Sequence, residues 1–116
     1  MTSLTSTETS ALELASDAPM LQQVERWAAV NSGTGNLSGL AEVAGMLADE
    51  FASLPGNVRL VVPDPVEAVT ASGHVQTLQR GNHLHLCVRP EAPVQVLLTG
   101  HMDTVFGVDH PFQSMT

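Results

Sequence analysis

Lysine and tyrosine are both missing from this chain of 116 residues, and aromatic side chains make up only 3% of it. A core without them has to be assembled from Leu, Val, Ala and Met. The basic side chains are Arg26, Arg59, Arg80 and Arg89, scattered along the chain and outnumbered by twelve Asp and Glu, for a net charge of -8. A nucleic-acid partner is excluded, because displacing counterions from phosphates requires a clustered positive footprint. An anionic membrane surface is disfavoured on the same electrostatic ground. Cys87 stands alone. No internal disulfide can form, and a reducing compartment is the simpler expectation. Residues 1–16 have neither the basic start nor the apolar run of an export signal, and no stretch approaches the roughly 20 apolar residues that span a bilayer. A soluble, cytoplasmic protein is expected.

At 43% hydrophobic, the chain holds enough apolar mass to offset ordering entropy, and its length suits one small domain with a modest core. Residues 1–16, rich in Ser and Thr, read as a flexible leader with at most a helical turn around Leu12 and Leu14. Order is expected from residue 17, with Ser16 or Asp17 as a cap and Pro19 in the first turn of a helix. Leu21, Val24, Trp27 and Ala28 recur at helical spacing and give that helix one buried stripe, and the run Asn31-Ser32-Gly33-Thr34-Gly35-Asn36 stops it. A second helix follows: Leu37, Leu40, Ala44, Leu47, Phe51 and Leu54 recur in steps of three and four, Asn36 caps the start, and Pro55-Gly56 ends the run.

The remainder reads as strands. Residues 58–62 form a short β-branched run bounded by Pro63 and Pro65, residues 64–73 read as loop, and Val75–Leu78 as a further strand. Across residues 83–89, Leu84, Leu86 and Val88 alternate with His83, His85 and Cys87, as two faces of a strand require. Residues 94–99 are almost continuously apolar. They are expected to return as the hairpin partner of that strand and to lie centrally, covered on both faces. Two helices followed by three or four strands make the expected fold class α/β with a mixed sheet.

Ligands in open α/β sheets gather where the chain leaves the carboxyl end of a strand. His101 and Asp103 stand at such a place. Residues two apart in an extended segment point the same way, roughly 6.5–7 Å apart at the backbone, so the carboxylate can reach the imidazole. There it fixes the ring tautomer and raises the basicity of the other nitrogen, as metal-bound histidines require. On spacing alone, the same pair also fits a strand-end histidine bonded to a nearby acid.

The run Leu97-Leu98-Thr99-Gly100-His101-Met102-Asp103-Thr104-Val105 resembles the first metal-site motif of the co-catalytic zinc exopeptidases. That family includes acetylornithine deacetylase, succinyl-diaminopimelate desuccinylase, aminoacylase and the glutamate carboxypeptidases. Residues 30–36, with the long helix after them, resemble the opening of its carboxypeptidase-like branch, so that the likeness covers residues 21–112. The resemblance implies that His101 ligates metal and that Asp103 is the catalytic aspartate supporting it. It implies two Zn2+ ions in the full-length enzyme, with Co2+ as an alternative, sharing a water about 3.5–4 Å from ion to ion, and a glutamate base that moves the water's proton to the leaving nitrogen. A small acylated amino acid or peptide would be the substrate, and a homodimer is compatible with it. The family's bridging aspartate, general base and other ligands would all lie beyond residue 116. Residues 17–116 are therefore expected to be the N-terminal portion of a metallopeptidase catalytic domain, truncated and inactive alone. The alternative is a non-catalytic α/β binding module that has lost the metal centre.

Other candidates carry less. His83, His85 and Cys87 are zinc-binding residue types on one strand face, but neighbours on a strand need help from elsewhere to hold an ion, and a polar face is the simpler reading. His74 and His110 read as loop residues, His110 near the expected site but solvent-exposed, and Asp109 as no more than a stray acidic residue near a metal. No Gly-x-Ser-x-Gly elbow occurs. Gly33-Thr34-Gly35 lacks the lysine and preceding strand of a phosphate loop.

Overall fold

The computed structural model describes residues 3–115. The first two positions of the expected leader, and the last residue of the chain, lie outside the described residues. A first helix, α1, spans Ser6–Asp17, where the sequence suggests a flexible leader. Thr5 accepts a hydrogen bond from the Glu8 amide at 3.3 Å, and the Glu8 carboxylate accepts one from the Thr5 amide at 2.7 Å. This reciprocal capping box satisfies two orphan amides and explains why a Ser/Thr-rich segment becomes helical. None of its residues is buried. It is a helix without a docking face.

Helix α2, Met20–Ala28, forms where expected, but its stripe is not buried among the described residues, with Leu21 and Val24 66% and 46% exposed, and the cap also differs from the expectation. Asp17 closes α1 instead, and Pro19 opens α2 with no side-chain cap. Helix α3, Leu37–Phe51, starts as expected at Asn36, whose side chain accepts from the Gly39 amide at 3.2 Å. Leu40, Val43 and Ala44 on α3 are the buried hydrophobic residues. The far end of the stripe, Phe51 and Leu54, stays exposed.

Strand β1, Asn57–Val61, pairs antiparallel with β4, His83–Cys87, in a register that sets Arg59 opposite His85 and Leu60 opposite Leu84. The alternation foreseen for β4 holds, with Leu84 and Leu86 half-buried and His83, His85 and Cys87 exposed. Helix α3 packs across β1 and β4. A second antiparallel pair joins β2, Val66–Val69, to β3, Val75–Leu78. β2 falls in the stretch read as loop. The amide of Thr70 bonds the His74 carbonyl and that of Gly73 bonds the Thr70 carbonyl, closing a hairpin that draws residues 66–69 into a strand.

The mixed sheet is not formed among the described residues: both sheets have two strands and are antiparallel, and the parallel element is a single bridge between Gly33 and Thr104. Nor do residues 94–99 form the expected central strand. They belong to no strand and are unpaired, with Val96, Leu97 and Leu98 79–89% exposed. Their apolar character signals a covering layer, and nothing among the described residues provides one. The radius of gyration, 18.3 Å, exceeds the about 13 Å of a compact domain of this length. Among the described residues, no helix is long and apolar enough to cross a membrane.

Candidate metal centre

The loop between α2 and α3 and the segment after residue 100 are laced together by side-chain amides. Asn31 donates through Nδ2 to the carbonyls of Phe106 and Gly107 and to the Gln113 side chain, at 3.1–3.2 Å. Its Oδ1 accepts from the Gly33 amide, and Asn36 donates back to the Asn31 carbonyl at 2.8 Å. The backbone adds two rungs: Thr104 N–H to the Ser32 carbonyl at 2.9 Å and Thr34 N–H to the Thr104 carbonyl at 3.1 Å. Ser32 itself is buried. Residues 31–36, read from sequence as a helix-ending turn, thus form the shelf on which residues 103–107 rest.

His101 and Asp103 are brought together as expected. The imidazole Nδ1 lies 2.8 Å from the Asp103 carbonyl oxygen and 3.2 Å from Asp103 Oδ1. A carbonyl only accepts, so a neutral His101 carries its proton on Nδ1, which leaves the Nε2 lone pair free. The ring is 83% exposed. Thr34, which the sequence reading treated only as a turn residue, donates its hydroxyl to Asp103 Oδ2 at 2.7 Å. The Thr34 hydrogen bond is the main cause holding the Asp103 carboxyl below the usual carboxylate range; burial opposes it, and the hydrogen bond and charge of His101 lower it further. Asp103 is therefore ionised at neutral pH, with one oxygen on the ring and one on a fixed hydroxyl.

The strand expected to deliver His101 is absent, and the Gly33–Thr104 bridge anchors the motif instead. An open cleft of ≈ 830 Å³ separates residues 97–103 from β4. His101, Asp103, His83, His85 and Cys87 all line it, yet among the described residues no three His, Cys, Asp or Glu side chains converge on a point that could hold a metal ion. His83 and His85 lie with ring centroids 6.2 Å apart on the face of β4, and Cys87 is a free, exposed thiol. His110 packs against Phe106, at 4.8 Å between ring centroids. Among the described residues, the His101–Asp103 pair offers one imidazole with a carboxylate beside it, short of the three protein ligands of a catalytic zinc.

No protein-family model, curated protein or solved structure matches the chain.

Proposed function

We propose that this chain is part of a metal-dependent hydrolase that cleaves an amide or peptide bond, of carboxypeptidase or N-deacylase type. In this reading His101 is a ligand of the first metal ion and Asp103 the acid that orients it. The observation that carries it is the bonding of Nδ1 to Asp103, which fixes the tautomer and leaves the Nε2 lone pair free on an exposed ring. Zinc, or cobalt in its place, would polarise a scissile carbonyl and lower the pKa of a bound water. Thr34 holds the carboxylate, the carboxylate holds the imidazole, and the shelf at residues 31–36 holds them both. No hydrolytic step is assigned to this chain by itself, because no cluster of three ligand side chains forms among the described residues. The exposed apolar segment at residues 94–99 supports the reading that further polypeptide completes both the sheet and the centre. A free Cys87 suits the reducing, cytoplasmic setting.

The test uses the protein in which this segment operates. His101→Ala should lower the zinc content per chain, and Asp103→Ala should cost more turnover than thermal stability. Unchanged zinc and unchanged turnover in the His101→Ala protein would remove the assignment. The second reading is a binding module without a metal centre. A stable, monodisperse chain that never acquires stoichiometric zinc in any larger context would decide for it.

A further inference from the structure

A hollow of ≈ 350 Å³ is walled by α2, α3, the shelf at residues 31–36 and the segment from His101 onwards, and no residue of β1–β4 lines it. That size lies at the lower end of small-molecule pockets, about 300–1,000 Å³. Its walls are apolar, with Trp27 from α2, Val43 and Leu47 from α3, and Phe106 and Phe112 from the last segment. His101 is the one titratable group in the lining, to which no Asp, Glu or Arg contributes. A charged occupant would give up its hydration without meeting an opposite charge.

The polar groups of the lining differ in how they are satisfied. Asn31 and Gln113 bond each other and the carbonyls around them. Thr104 is exposed. Ser32 is only 5% exposed, yet among the described residues its hydroxyl has no hydrogen-bond partner. The Trp27 indole N–H is likewise buried without one. Buried polar groups are paired in the great majority of cases, so two idle donors beside one apolar hollow call for an acceptor.

We infer that the hollow is a binding site for an uncharged aliphatic or aryl group bearing a carbonyl, whose oxygen accepts a hydrogen bond from Ser32. Withdrawing the apolar part from water supplies the affinity, and the polar contact fixes which way the occupant lies. His101 and Met102 line both this hollow and the ≈ 830 Å³ cleft, so the occupant lies beside the imidazole. The consequence for substrate rests on the hydrolase reading: the group next to the scissile bond is apolar and uncharged, and dicarboxylic acyl groups and charged side chains are rejected.

The experiment titrates the 116-residue chain, labelled with carbon-13 and nitrogen-15 and kept in EDTA, with hexanamide under NMR observation. Saturable shifts are expected at the Val43 and Leu47 methyls and at the Trp27 indole N–H, with a Kd in roughly the millimolar range. Acetamide, which lacks the chain, should bind at least about tenfold more weakly. Hexanoate, which carries a charge on the same chain, should lose a similar factor. Ala28 is half-buried in the lining, and Ala28→Leu should fill the hollow and abolish the saturable shifts. Ser32→Ala should weaken hexanamide by about threefold or more. The acetamide and hexanoate comparisons carry the test should either variant fold poorly. No saturable shift, equal binding of acetamide or of hexanoate, or a hexanamide affinity unmoved in both variants would each overturn the proposal. Chelation separates the two readings: losing the zinc assignment leaves hexanamide binding standing, and failed hexanamide binding leaves the zinc assignment standing.

Discussion

Thr34 and Asp103 share a 2.7 Å hydrogen bond across 69 residues of sequence. The contact ties the start of α3 to the acid that steers His101. Because it is the main cause of the lowered Asp103 pKa, its contribution to stability is present above the ordinary aspartate value of about 3.9 and is lost as pH falls through the folded value. Thr34→Val should move the Asp103 titration back up towards that ordinary value, followed by carboxyl NMR between pH 2 and 6. An unmoved midpoint would show that His101, rather than Thr34, governs the carboxylate. Nitrogen NMR of the same sample should find neutral His101 protonated on Nδ1, and the other tautomer would contradict the bond to the Asp103 carbonyl.

Two glycines of α3 should respond oppositely to alanine. At Gly39 a Cβ would overlap the carbonyl oxygen of Asn31, so Gly39→Ala must push the helix start off the Asn31–Asn36 shelf. A cost of about 1–3 kcal/mol is expected from that displacement. At Gly45 a Cβ meets no atom within 4 Å, and Gly45→Ala should gain roughly 0.5–1 kcal/mol through helix propensity. Urea unfolding followed by circular dichroism separates the two, and matching shifts would refute the packing described for Gly39.

Asn31→Ala removes donors to two carbonyls and to Gln113 in a half-buried setting. Unsatisfied groups of this kind cost about 1–3 kcal/mol. Amide hydrogen exchange should quicken at Thr104 while the centre of α3 stays protected. Protection at Thr104 that survives the substitution would mean the backbone bridge holds without the side chain.

Leu98 distinguishes the observed chain path from the one its sequence suggests. At 89% exposure, Leu98→Ser should change stability by less than about 0.5 kcal/mol and reduce self-association. A buried central leucine would instead cost about 2–5 kcal/mol on truncation. A loss of that size in the 116-residue chain would restore the central strand.

The elements that sequence made legible are those whose signals are local. The three-and-four spacing of α3, with Asn36 before it, and the alternation of Leu84 and Leu86 with His83 and His85 needed no tertiary partner to be read. The capping box of α1 was equally local, spelled by Thr5 and Glu8, and was overlooked beneath a leader-like composition. β2 is too short to show a period, yet Ser72-Gly73 ahead of Val75–Leu78 was a turn signal that implied a partner strand. Residues 94–99 failed for another reason: apolar character reports that a segment is to be covered, not which segment covers it. At the candidate site, two residues apart in sequence sufficed to pair His101 with Asp103. Thr34 and Asn31 could not be joined to them, because no spacing rule links a helix-ending turn to a segment some seventy residues away.

The lone tryptophan gives the shelf an optical signal of its own. Trp27 borders a hollow of ≈ 350 Å³ shared with Phe106 and Phe112, and its indole N–H is buried without a partner among the described residues. If residues 104–113 lifted from the shelf at residues 31–36, the hollow would open and that nitrogen should meet water. The emission colour of a single fluorophore therefore registers whether the histidine-bearing arm is seated, without any label being attached.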